Sequence, residues 1–326
     1  MKMKKNIAII MGGYSSEYTI SIESGNAVYD ELDKSKFNCY KVLILKDRWV
    51  YVDMKNNEHK INKDFFTLKL SNKLIQFDCV FNAIHGSPGE NGEIQEYLSE
   101  LKIPLTGSGL FQSKITYDKI ECLKYLNKHK IKSAKSVCLN TKDNIDLNQI
   151  VKKVGLPCFV KASKSGSSYG ITKVYKLAEF DQALKIAFKE DSNILIESFL
   201  DGTEVSVGII SYRNKTICLP ITEIISNNDF FDYEAKYNGQ SSEITPAKIS
   251  EEMKSKVLKE SLKIFQILGL KGLTRSEFIF KDGIPYLLEV NTVPGLTKKS
   301  ILPQQVILAG ISLKDLYENV INEALN

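Results

Sequence analysis

No apolar run in the 326-residue chain approaches the roughly 18 residues that would span a membrane. A basic start, Met1 to Lys5, does precede the apolar Ile7 to Met11. That run stops after five residues at Gly12-Gly13, short of the roughly 7 to 15 of a secretory leader. A cytoplasmic protein without a membrane partner is expected. Cysteine is sparse and scattered, at Cys39, Cys79, Cys122, Cys138, Cys158 and Cys218, with no CxxC pair. This usage excludes a disulfide framework and a zinc cluster, and fits reduced core thiols. Gly-x4-Gly-Lys-Ser/Thr is absent from the whole chain, which disfavours a P-loop fold. The net charge of +5 is spread along the sequence rather than gathered in a basic arm. A nucleic-acid partner is therefore not expected, while a modest positive field suits a nucleotide triphosphate. There is no internal repeat and no low-complexity segment.

Length alone predicts two or three domains, at roughly 100 to 200 residues each. Apolar runs at 7–11, 40–45 and 79–84 alternate with helical patterns at 20–32 and 93–101, the reading of an α/β opening with buried parallel strands. A Gly107-Ser108-Gly109 break ends this first unit, 1–110. A second unit, 111–200, carries helices at 113–129 and 179–189 and strands at 158–162, 171–175 and 193–197. The third, 201–326, has strands at 204–212, 216–224, 273–280 and 285–291 and helices at 250–268 and 313–325. Within it the polar stretch 226–246 lacks periodicity, as functional mobile loops do.

Two strands concentrate chemistry. Period-two alternation puts Arg275 and Glu277 on one face of the first, and Glu289 and Asn291 on one face of the second. In an unbulged hairpin with a two-residue Asp282-Gly283 turn, Glu277 and Glu289 would face opposite sides. An odd connection, such as Asp282-Gly283-Ile284, or a compensating bulge pairs Glu277 with Glu289 and Arg275 with Asn291. It also sets Ser276, Phe278 and Phe280 against Val290, Leu288 and Tyr286 as an apolar face. That register is expected, since two carboxylates and an amide oxygen would then converge as a magnesium site beside a guanidinium. A solvated hairpin face with a structural ion pair would give the same pattern. A second Gly-rich run, Val160-Lys-Ala-Ser-Lys-Ser-Gly-Ser-Ser-Tyr-Gly170, lies between two strands, where backbone N–H groups and a strand lysine can meet phosphates. A flexible hairpin loop is its bland alternative. Glu17 follows the Gly12-Gly13 turn, and His85 ends another apolar strand, at the sheet edge where α/β ligands bind.

The run Glu289-Val-Asn-Thr-Val-Pro-Gly-Leu-Thr-Lys-Lys-Ser300, with the glycine-serine loop, Ile194 to Glu204, Gly12 to Glu17 and Phe231-Asp-Tyr-Glu-Ala-Lys-Tyr237, resembles the D-alanine:D-alanine ligase family over nearly the whole chain. The resemblance implies a three-lobed ATP-grasp architecture: an N-terminal parallel-sheet domain and two α+β lobes sandwiching ATP. It implies two D-alanine substrates, ATP, two magnesium ions for which manganese can substitute, and a homodimer. By the match, Glu17, Ser167, Tyr237, Arg275 and Gly295 are catalytic, and His85, Ser300 and Ile301 bind substrate. Lys119, Lys161, Ser168, Glu197, Phe199, Leu200, Glu204 and Lys236 hold the nucleotide, and Glu277, Glu289 and Asn291 the metals. The implied reaction passes through D-alanyl phosphate. Three positions depart from the family pattern: Glu277 stands in place of an aspartate, Ala162 in place of a proline, and Ser165 in place of an acidic residue. None removes a ligand type.

Overall fold

The computed structural model describes residues 3–226 and 241–326, and in these it arranges three β-sheets around a common centre. In the first, β1 (Lys5–Gly12) lies between and parallel to β2 (Phe37–Ile44) and β7 (Cys79–Asn82). The sheet continues beyond β2 as an antiparallel meander, β3 (Trp49–Val52), β4 (Glu58–Asn62), β5 (Thr67–Leu70) and β6 (Lys73–Gln76). The parallel strands expected at the start of the chain form one side of this sheet, and the antiparallel meander is added beyond them. The meander escaped the sequence reading because strands of four or five residues, such as Glu58–Asn62 with only Ile61 buried, carry too little alternation to register.

The second sheet is antiparallel, ordered β10-β9-β11-β8 from β8 (Ser136–Asn140), β9 (Cys158–Ala162), β10 (Ile171–Val174) and β11 (Asn193–Ser198). The third is built on β12 (Thr203–Tyr212), β16 (Leu273–Lys281) and β17 (Ile284–Asn291). It extends through β14 (Thr222–Ser226) to β15 (Ser241–Ile244), with β13 (Lys215–Cys218) beside β12. The strand β15 falls inside the stretch expected to lack structure, leaving 227–240 outside the described residues. The expected helix 113–129 is two helices, α3 (Leu110–Tyr117) and α4 (Lys119–Lys128), broken at an extended Asp118 whose side chain caps α4. Earlier helices are α1 (Tyr18–Glu31) and α2 (Glu93–Glu100), and later ones α5 (Leu147–Val154), α6 (Phe180–Glu190), α7 (Glu251–Leu268), α8 (Ile301–Leu308) and α9 (Leu313–Leu325). The cleanest prediction, α7, has its reasons in sequence: Ser250 accepts from the Met253 N–H, Glu251 and Glu252 face the positive helix end, and Gly269 closes it in the left-handed region.

The cores cut across the sheets. Ile120, Leu123 and Leu126 of α4 are buried with Val205, Phe278 and Leu287 of the third sheet and Val257 of α7. Helix α9 buries Leu316, Tyr317 and Ile321 against Ile7, Ile9 and Phe81 of the first. The second sheet keeps its own core around Val160, Phe180 and Ile196.

The hairpin β16–β17 has the expected register by the bulge route. Asp282 and Gly283 both adopt positive φ, 52° and 71°, so the connection is a tight two-residue turn of the type Asp-Gly favours, not the odd-length loop. Lys281 then opposes Ile284 and Phe278 opposes Leu287, but Glu277 opposes Glu289, so Leu288 is the extra residue of a bulge. Leu287 is therefore the core side chain, whereas Leu288, expected in the core, turns to a cavity beside Glu277 and Ile279. Removing a fully buried leucine costs about 2–5 kcal/mol. Leu287→Ala should lower the unfolding free energy by that much in urea titration, and Leu288→Ala by well under half as much. Equal losses would place both residues in the core and contradict the bulge.

Candidate functional site

Two adjoining cavities lie where the sheets meet. The larger, about 440 Å³, is lined by Glu17, His85, Arg275, Asn291, Gly295, Ser300 and Ile301 among others. The smaller, about 100 Å³, is lined by Lys161, Ser168, Glu197, Leu200, Glu204 and Glu277. Lys119, Ser165, Gly166, Ser167 and Glu289 line both. Every predicted site residue thus faces one cavity or the other, apart from three. Lys236 and Tyr237 lie outside the described residues. Phe199 is on neither wall; its ring packs against Phe159 and carries the Lys173 ammonium 3.9 Å from its centroid. Phe159, one strand over, lines the smaller cavity instead.

Glu17 immediately precedes α1, delivered by the Gly12-Gly13 turn, and is buried although it carries charge. The Ser167 hydroxyl donates to Glu17 Oε1 at 2.6 Å across 150 residues of sequence. Gly166 makes the approach possible, since a Cβ there would stand 2.5 Å from that same oxygen. Ser167 and Ser168 follow with φ of 50° and 62°, a left-handed pair that non-glycine residues adopt at a cost.

Lys119 opens α4 and is buried. Its ammonium donates to the Ser165 carbonyl and lies 3.5 Å from Glu289 Oε2. Lys161 on β9 contacts Glu197 on β11 directly. Burial works against the Lys161 charge, but the Glu197 carboxylate more than offsets it and its pKa is raised. Glu197 Oε1 is buried without a hydrogen-bond partner among the described residues, an acceptor suited to an amino group on a flat ring between the apolar Leu200, Ile279 and Leu288. Arg275 Nη2 meets Glu277 Oε1 at 2.8 Å. A Cβ at Gly295 would fall 2.7 Å from Ser300 Oγ and 3.1 Å from its Cβ, so a side chain there would displace the Ser300 hydroxyl. Ser300 precedes α8 and pairs its hydroxyl with Thr297 at 2.9 Å, so this corner offers a hydroxyl and a helix N-terminus to an anion.

His85 is buried, with Nε2 2.9 Å from Ser24 Oγ, which in turn accepts the Leu296 N–H at 3.3 Å. Burial pushes its pKa down to about 4, partly offset by a hydrogen bond with the Val293 backbone and helped by the Arg275 charge. It is a neutral strut between β7, α1 and the Gly295 loop. Sequence reasoning missed Glu90, which lines the larger cavity and accepts the Gly86 N–H at 2.7 Å. Burial, then the Glu17 charge, pushes its carboxyl up. The available signal was an acid five residues beyond a strand-end histidine, in a glycine turn at the same sheet edge. Among the described residues no group of three His, Cys, Asp or Glu side chains is placed to hold a metal ion.

Two family models and several known proteins match this chain. Residues 6–108 match a family model described as D-ala D-ala ligase N-terminus, and residues 126–322 one described as D-ala D-ala ligase C-terminus. The D-alanine--D-alanine ligase of Flavobacterium johnsoniae is 54% identical over 321 residues, covering 98% of this chain and 99% of its own. The crystal structure of D-alanine--D-alanine ligase from Bacillus anthracis complexed with ATP is 30% identical at a TM-score of 0.78, covering 98% of this chain and 97% of that one. The VanG D-Ala:D-Ser ligase from Enterococcus faecalis is 28% identical at 0.85, covering 99% and 100%.

The buried histidine generates a prediction about acid stability. Folded His85 titrates near 4 rather than 6.5, so between those values the unfolded chain binds the additional proton. Its contribution is intact above pH 6.5 and is lost as pH falls through 4. At about 1.36 kcal/mol per pKa unit the loss is on the order of 3 kcal/mol. His85→Gln should melt with a shallower dependence on pH between 6.5 and 4 than the parent chain. Parallel pH profiles would show that His85 is not buried neutral.

Proposed function

The chain belongs to the D-alanine–D-alanine ligase family, and on that premise we propose how its two joined cavities divide the reaction. It uses ATP to join two D-alanine molecules into the dipeptide required for peptidoglycan precursors. The observation that carries the division is the shared wall: Lys119, the 165–167 loop and Glu289 border both cavities, so a phosphate placed there reaches a nucleotide on one side and an amino acid on the other.

The smaller cavity takes the adenosine of ATP, with purine between Leu200, Ile279 and Leu288, its amino group on Glu197, and the ribose at Glu204. Lys119, Lys161 and the Ser167-Ser168 loop hold the phosphates. In the larger cavity Glu17 seats the ammonium of the first D-alanine, with His85 in support. The second D-alanine places its carboxylate at Ser300 and the N–H of Ile301. The carboxylate of the first attacks the γ-phosphate, releasing ADP and leaving an acyl phosphate. The amine of the second then attacks the acyl carbon, and phosphate departs. Arg275 and the Gly295 N–H meet the oxyanion formed in that step, and Ser167 with Tyr237 orients and deprotonates the amine. Lys236 reaches the γ-phosphate. Phe199 stays behind Phe159 as a support rather than a purine contact.

Glu277, Glu289 and Asn291 fit magnesium or manganese. Glu277 and Glu289 stand directly opposite one another, and two carboxylates with an amide oxygen are the hard donors these cations take. The Asn291 oxygen already accepts the Val293 N–H at 3.0 Å and keeps one lone pair. Such a set leaves ligand positions for nucleotide phosphates, so two ions between protein and ATP are consistent with it. Bound there, the metal neutralises charge on the transferring phosphate. We divide the chain into three lobes, 1–110, 111–200 and 201–326, with ATP between the second and third; most of the loop expected at 226–246 lies outside the described residues. We carry over a homodimer in the cytoplasm as the family's habit. No described helix is long and apolar enough to cross a membrane.

Arg275→Lys keeps the charge but loses the fork that can bridge phosphate and acyl oxygen. Removal of one preorganised oxyanion donor costs about 10²–10³ in kcat, and the variant should fall by that factor in a coupled ADP-release assay. Near-normal turnover would reduce Arg275 to a partner of Glu277. Run on the parent chain with D-alanine, D-serine, D-lactate and L-alanine, the same assay tests the substrate assignment. D-alanine should stimulate ADP release and yield the dipeptide by mass, and failure to do so would overturn the reading.

A further inference from the structure

We propose that Tyr117 is a substrate-binding residue whose hydroxyl donates a hydrogen bond to the carboxyl end of the first D-alanine. Helix α3 ends at Tyr117, α4 begins at Lys119, and Asp118 between them is extended, with φ −91° and ψ 101°. The consequence is geometric. In an unbroken helix, residues two apart project about 200° from one another and do not share a face. Yet Tyr117 and Lys119 line the same cavity, which a continuous helix over 113–129 could not arrange.

The polar groups around the break are committed, with one exception. The Thr116 hydroxyl donates to the Gln112 carbonyl at 2.8 Å. Asp118 Oδ1 accepts from Ser163 Oγ at 2.6 Å and from the Glu121 N–H at 3.2 Å. Lys119 is held by the Ser165 carbonyl and Glu289. The Tyr117 hydroxyl has no hydrogen-bond partner among the described residues. Its ring is half-buried on a wall shared with Glu17, Glu90 and the 165–167 loop. Burial, and then the charges of Glu90 and Glu17, push its pKa up, so the phenol remains a neutral donor rather than a base.

The location narrows what it meets. Glu17, Glu90, Lys119 and the 165–167 loop line the same cavity as Tyr117, and the Glu90 and Glu17 carboxylates are near enough to act on its phenol. A D-alanine with its ammonium on Glu17 and its carboxylate directed at Lys119 lies in that cavity within reach of the wall that carries Tyr117. A neutral O–H there satisfies a carboxylate oxygen without adding a charge that would compete with the transferring phosphate. The inference rests on the placement of the first substrate at Glu17 given above.

The test compares Tyr117→Phe and Glu17→Gln with the parent chain, in steady-state assays at saturating ATP that separate the Michaelis constants of the two D-alanine sites. Loss of a hydrogen bond to a charged group corresponds to roughly a 10- to 100-fold change. Tyr117→Phe, which keeps the ring, should raise the first-site constant by that factor while the second-site and ATP constants stay within about twofold. Glu17→Gln should raise the first-site constant as well. If Glu17→Gln does so and Tyr117→Phe leaves all three constants unchanged, Tyr117 is only wall and the proposal is overturned, with the substrate placement intact. If neither variant moves the first-site constant, the placement fails and the proposal with it. A Tyr117→Phe effect confined to the second site, to ATP or to kcat also overturns it.

Discussion

A buried ammonium organises the centre of this molecule. Lys119 belongs to a helix that packs on the third sheet, yet it touches the carbonyl of Ser165 in the loop of the second sheet and the Glu289 carboxylate of β17. A lysine taken out of water is costly unless a charge or dipole faces it, and here both do, each from a different part of the chain. The same wall holds Gly166 and Ser167, and through the Ser167–Glu17 bond it reaches the first sheet. Three sheets with partly separate cores are thereby fixed at one point, where the two cavities join. The price of burying Lys119 is offset only while all three parts stay in place. A substrate phosphate arriving there would find a cation already desolvated and positioned, the condition under which electrostatic stabilisation is most effective.

Two departures from regular structure do comparable work on either side of that lysine. Regular elements distribute successive side chains over different faces, every other residue in a strand and about 100° apart in a helix. The bulge at Leu288 breaks the first rule, so that Leu288 and Glu289 face the smaller cavity together. An apolar side chain and a carboxylate are thus supplied to that cavity by adjacent residues of one strand. The extended Asp118 breaks the second rule and lets Tyr117 and Lys119 share a wall. Both irregularities are stabilised locally, one by a tight Asp-Gly turn and the other by the capping carboxylate of Asp118.

This explains how much could be read from the sequence. Elements with strong periodicity and explicit ends, such as β1 and α7, were legible because pattern and caps agree. The register of β16 and β17 was legible because one arrangement alone served both a core face and a carboxylate face, although the choice between a longer loop and a bulge was not. Sequence favoured placing Leu288 in the core because alternation was assumed to run unbroken; Leu287 is buried there instead. The break at Asp118 was missed because 113–129 reads as one amphipathic stretch, and Asp118 is at once a tolerable helix residue and a good cap. Motif residues such as Lys161, Glu197 and Ser300 were legible through resemblance. Glu90 and Tyr117 were not: an acid five residues beyond His85 in a glycine turn is a weak signal, and nothing in a tyrosine at a helix end marks it until the fold brings it to a cavity. Phe199 shows the converse: proximity in a motif placed it on the wall, while the sheet register gives that place to Phe159.

The charge balance of the larger cavity follows from its location between these parts. Glu17, Glu23, Glu90, Glu243 and Glu289 line it against Lys119, Arg275 and Lys299, an excess of carboxylates over fixed cations. Such an excess favours whatever brings positive charge into the cavity. A protonated histidine at His85 would have reduced that preference and repelled Arg275. Burial against Ser24 and the Val293 backbone keeps it uncharged instead. The raised Glu90 carboxyl works in the opposite direction, since an acid beside Glu17 that holds its proton more firmly trims the negative excess and limits the repulsion within the wall. The cavity therefore sets its charge by desolvating His85 and Glu90.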